Sequence, residues 1–135
     1  MGEIGITETK PRSAARERVR RTGRCIGELL MELGVAPHTA GFCALRVGTV
    51  LLTERETEYR QRLIDTLYPI VERYAAQERL SAEHAIRDTV RISFSREPSA
   101  LRTKLFPDGS APTNAEILYA LAAYTAVQVA EREHL

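Results

Sequence analysis

The chain has 135 residues, the size of one ordinary domain. A hydrophobic fraction of 44% and a charged fraction of 27% fit a soluble globule, and no apolar run approaches the ~18 residues of a membrane span. The net charge of +1 is weak for a nucleic-acid binder, so its distribution carries more than its sum.

Residues 1–24 hold seven basic and three acidic groups, a balance of +4; the remainder holds twelve and fifteen, a balance of −3. The division expected is therefore a basic N-terminal arm with the start of a first helix over 1–24, and a helical body over 25–135. Such an arm either adds salt-dependent attraction to phosphates or is a solvated lead-in to the helix. Met1 to about Lys10 lacks periodicity and reads as a loose tail with no signal-peptide segment, which makes a cytoplasmic address the default.

From about Ser13 to Leu33 a helical pattern builds through Val19, Ile26, Leu29, Leu30 and Leu33. Gly34 stands where a left-handed C-terminal cap belongs, and Pro37 suits the first turn of the next helix. That helix, with Phe42, Leu45, Val47, Val50 and Leu51, is apolar on most sides and should be central. Thr53-Glu54-Arg55-Glu56 has the form of a capping box and predicts a new helix start. Leu63, Leu67, Ile70, Val71 and Tyr74 continue as a stripe, with Pro69 inside it and a bend expected near Thr66.

Ala82 to Arg96 predicts a further helix, buried along Ala82, Ala85, Ile86, Val90 and Phe94 and ended by Glu97-Pro98. Leu101–Phe106 is a short apolar piece, and Pro107-Asp108-Gly109-Ser110 is turn chemistry. Thr113-Asn114-Ala115-Glu116 is a second capping box and opens a last helix through Ile117, Leu118, Leu121, Tyr124 and Val127. No strand-like alternation appears. The fold class expected is all-α, with about six helices and short connections.

Cys25 and Cys43 form no C-x-x-C pair and read as small thiols in apolar surroundings; a disulfide between them is left open but nothing calls for one. His38 lacks an acidic or cysteine partner close in sequence and reads as a satisfied or exposed histidine. Tyr59, Tyr68, Tyr74, Tyr119 and Tyr124 read as core or rim packing. There is no Gly-rich phosphate loop, no paired-carboxylate site and no nucleophile motif, so no enzyme is expected and no cofactor or metal is called for.

The most informative feature is the pair of helical patterns at 62–74 and 82–96, separated only by Ala75 to Ser81. Two helices so spaced can cross steeply and present the second one outward, as a helix-turn-helix does, and a duplex major groove admits one α-helix. The outward side chains would be Glu83, His84, Arg87, Asp88 and Arg91, with Ser81 at the start. An arginine such as Arg87 can donate two hydrogen bonds to a guanine edge. Glu83, one turn earlier, can accept from a cytosine amino group or hold Arg87 in position. Arg91 suits a phosphate or points away from DNA. His84 offers a single donor, Asp88 needs a base donor or a nearby arginine, and Ser81 can cap the helix and touch a phosphate. The same charges at four-residue steps also describe a solvated helix face.

Four stretches carry a family resemblance: Gly34-Val35-Ala36-Pro37-His38 with Gly41-Phe42 and Leu45-Arg46; Leu67-Tyr68-Pro69; Glu83-His84-Ala85-Ile86-Arg87; and Pro112-Thr113-Asn114-Ala115-Glu116. In their order and spacing the chain resembles, from about Cys25 to Arg132, the C-terminal DNA-binding effector domain of the master response regulator of sporulation initiation. The resemblance implies six helices with a central helix-turn-helix, of the winged-helix and response-regulator effector type. It implies binding to duplex DNA as a transcription regulator, with a homodimer on tandem sites. Members normally carry a phosphoacceptor receiver; only residues 1–24 precede the match, so a receiver is expected, if at all, on a separate protein partner. Ser81 and His84 stand where the family usually has arginine, Asp88 where it has histidine, and Gln77 and Glu78 where it has threonines, while Pro37 is displaced by one position. The fold transfers across these changes; the family's DNA sequence preference does not. The reading is sequence-specific duplex DNA binding with 81–96 as recognition helix, the alternative being a helical protein-interaction module that has kept the fold and lost DNA affinity.

Overall fold

Ile26, Leu29 and Leu30 line the buried face of the first helix, α1 (Gly2–Glu32), and Leu33 continues their three- and four-residue spacing just past its end. The structure, a computed structural model, describes residues 2–54, 67–75 and 81–133. α1 begins at Gly2, where periodicity predicted a loose tail. Once a helix is nucleated, each added residue only propagates it, and a polar extension leaves no apolar stripe to be read. The end of α1 follows the sequence closely. Gly34 takes φ +88°, its N–H donates to the Met31 carbonyl at 3.0 Å, and Val35 N–H donates to Leu30 O at 3.0 Å. This is a Schellman cap, and Leu30 and Val35, the pair of positions that usually meet across it, are both buried in the core.

The second helix, α2 (Ala40–Glu54), starts three residues after Pro37 rather than at it. Thr39 is the reason: its hydroxyl accepts from Phe42 N–H at 3.2 Å, so the cap sits at 39 and Pro37 lies in the turn before it. The helix start predicted at Thr53 is also corrected. Thr53 Oγ1 donates back to the Thr49 carbonyl at 2.8 Å and α2 runs on through Glu54. A threonine hydroxyl can bond its own helix as well as cap a new one, and the sequence pattern does not distinguish the two. The rest of that capping box, the stripe residue Leu63 and the bend expected near Thr66 lie outside the described residues. α2 is central and packs on α1, α3 (Tyr68–Ala75), α4 (Ala82–Phe94) and α6 (Asn114–Glu133). Its Leu45 and Leu52 are fully buried, each contributing roughly 1.5–3 kcal/mol by removal from water.

Gly41 brings α2 and α4 together. A Cβ there would run into the Thr89 side chain and stand 2.7 Å from the Ala85 carbonyl, so the two backbones approach only because position 41 has no side chain. The short α5 (Ala100–Leu105) is capped by Ser99, which accepts from Arg102 N–H at 3.1 Å. α6 opens on the capping box that its sequence predicted: Glu116 N–H donates to Thr113 Oγ1 at 3.2 Å and Thr113 N–H donates to Glu116 Oε1 at 3.0 Å. Six helices and no strand occur among the described residues. Cys25 and Cys43 are free thiols, and burial pushes the Cys25 thiol up. No described helix is long and apolar enough to cross a membrane.

Candidate nucleic-acid interface

α3 and α4 are held at their junction by the side chains of both. Glu72 on α3 accepts from Ala82 N–H at 3.2 Å, so a carboxylate of the first helix closes the positive end of the second. Ser81 is the N-cap of α4, and its Oγ accepts from His84 N–H at 3.1 Å. The far end of α4 is tied to α1. Ser93 Oγ donates to Leu33 O at 2.6 Å and Arg96 Nη1 donates to Gly34 O at 3.5 Å.

Between those anchors Ala82, Ile86, Val90 and Ser93 are buried. At about 100° per residue, His84, Asp88, Arg91 and Ser95 fall within an arc of roughly 60° opposite that stripe. All four are exposed, Arg91 at 74% and Asp88 at 68% of their side chains. Glu83 and Arg87 sit on one flank, with Arg87 60% exposed. That flank faces residues 111–115, the lead-in to α6 and its first turn, across a groove of about 650 Å³, whose walls include Phe94 and Pro112. The arginines are partnered on their own helix, Arg87 with Glu83 and Arg91 with Asp88 at 3.8 Å. The face thus presents two guanidinium groups and two carboxylates, each cation within reach of its own acid.

Three residues that matter here were not singled out for it in the sequence. Asn114, the first residue of α6, donates from Nδ2 to the Glu83 carbonyl at 2.9 Å and to the Tyr68 hydroxyl at 3.3 Å. Burial pushes the Tyr68 phenol up, against the lowering effect of that Asn114 bond. Arg102 is 8% exposed, donates to Arg96 O at 2.9 Å and Ser93 O at 3.4 Å, and stacks over Phe94. Glu72 is the third. Only Asn114 lay inside a quoted motif, where it read as part of a helix start. His38 is exposed in the turn before α2. No group of three or more His, Cys, Asp or Glu that could hold a metal occurs among the described residues.

No curated protein matches the chain. The four stretches quoted above nevertheless all fall inside one matched region. The model of the family described as "Sporulation initiation factor Spo0A C terminal" matches residues 26–125, and the chain belongs to that family of helical, DNA-binding regulatory domains.

Proposed function

We propose that this chain binds duplex DNA sequence-specifically, as a transcriptional regulator or an accessory to one, with α4 in the major groove. The observation that carries the reading is the outward arc of α4, a helix anchored at both ends whose polar side chains face solvent. Arg87 reads a guanine edge, with Glu83 either fixing its guanidinium or accepting from a cytosine amino group. Arg91, at the edge of the arc nearest Arg87, meets a phosphate. His84 offers one donor, Asp88 orients Arg91, and Ser81 holds the start of the helix. Two copies on tandem half-sites about 10–10.5 bp apart suit a module of this shape. The basic segment 1–24 supplies long-range attraction to the duplex while the body, 25–135, does the reading.

Selection from a random duplex pool identifies the preferred site. On that site a domain neutralising three or four phosphates loses roughly 40- to 150-fold in affinity between about 50 and 200 mM salt. Arg87→Ala is expected to cost about 1–3 kcal/mol on the preferred site and far less on mixed duplex. Equal loss on both would make Arg87 a phosphate contact. One observation favours a second reading, a helical interaction module without DNA affinity: both arginines of α4 are already paired with carboxylates of the same helix. Absence of duplex binding at ~50 mM salt, where phosphate contacts are strongest, decides for that module.

A further inference from the structure

We propose that the groove between the middle of α1 and the second half of α2 docks an acidic amphipathic helix of a protein partner. The groove, about 770 Å³, has an apolar floor of Val19, Val47, Val50 and Leu51. Val19 is 40% exposed although its sequence pattern places it with the core residues of α1. It supplies apolar surface that the fold itself does not cover. The rim is basic, formed by Arg18, Arg20, Arg24 and Arg46 against a single lining carboxylate, Glu54. Arg18 bonds Glu54 at 3.0 Å and Arg20 lies 3.8 Å from Glu17. Arg24 and Arg46 make no ion pair among the described residues.

An apolar floor with two uncommitted guanidinium groups selects an occupant with apolar side chains on one face and carboxylates beside them. A phosphate backbone satisfies the rim and leaves the floor in water. A helix laid in the groove satisfies both, its stripe at i, i+3, i+4 and i+7 meeting the valines and its flanking acids meeting the arginines. The α1 wall from Ala15 to Arg24 is about 14 Å long, the span of two to three helical turns. Position also matters. Val50 lies about 180° around α2 from Gly41, where α2 meets α4, and Val47 about 120°. An occupant therefore leaves the outward arc of α4 uncovered, and the result below stands whether or not α4 binds DNA.

The probe is a fluorescent synthetic helix of roughly 15 residues, leucine on one face and glutamate on the rest, titrated with the full chain at ~50 mM salt. Expected is saturable binding that weakens at least tenfold in Val19→Glu and in the double variant Arg24→Glu/Arg46→Glu, both keeping the parent's circular dichroism. A control helix with its leucines changed to serine should not bind. Three results overturn the proposal: no binding of the leucine–glutamate helix, equal binding of the serine control, or binding indifferent to the substitutions. Displacement of the helix by duplex DNA from a chain carrying Arg87→Ala and Arg91→Ala also overturns it, and marks the groove as a phosphate surface instead.

Discussion

Arg102 is buried to 8% exposure, with its guanidinium 4.6 Å from the Phe94 ring centre and hydrogen bonds to two carbonyls at the end of α4. Helix ends leave carbonyls without intrahelical partners, and a cation there answers both the lone pairs and the dipole. Arg102→Ala removes charged hydrogen bonds, a stacked cation and the packing of the side-chain stem together. It is expected to cost about 2–3 kcal/mol, read as a lower urea midpoint at unchanged m-value. Arg102→Lys should recover only part, because an ammonium that reaches the two carbonyls has no planar face to lay on the Phe94 ring. Sequence gave no warning of this residue. Arginine is a surface residue by habit, and its partners at 93 and 96 belong to the last turn of α4 and the bend beyond it.

Elements succeed or fail at their joints. The tightest is α2 against α4 at Gly41. Gly41→Ala is expected to destabilise by about 1–3 kcal/mol, since the Ala85 carbonyl is backbone and cannot swing aside. Adding Thr89→Ala should restore only part of that loss in thermal unfolding. The capping box of α6 makes a different prediction. The backbone N–H of Thr113, and then its side chain, hold the Glu116 carboxyl below its usual value. A carboxyl depressed in the folded state stabilises fully above the unfolded value and loses that contribution as pH falls through the folded one. Glu116→Gln should therefore show a flatter fall in unfolding midpoint between about pH 6 and 3 than the parent chain. Helix interiors were legible wherever apolar residues repeat, as in α2 and α4, because periodicity reports burial directly. Joints were legible only when the cap was local and unambiguous, as at Gly34 and Thr113. Thr39 and Thr53 show the limit: each threonine can cap or bond backward, and the choice is made by where neighbouring helices pack.

For the molecule as a whole, a net charge of +1 conceals two differently balanced surfaces. The outward arc of α4 pairs its arginines with its own acids, whereas the α1–α2 groove leaves Arg24 and Arg46 without ion pairs among the described residues. Which α4 residues face solvent was readable from the period of the chain. What holds them there was not, because Glu72, Arg102 and Asn114 act across elements. Asn114 spends both amide hydrogens on its neighbours, one on Tyr68 and one on the peptide of Glu83, 31 residues earlier. The bearing of α4 is consequently set in part by the residue that opens the last helix, and a ribosome must have released Asn114 before the arginines upstream acquire their final heading.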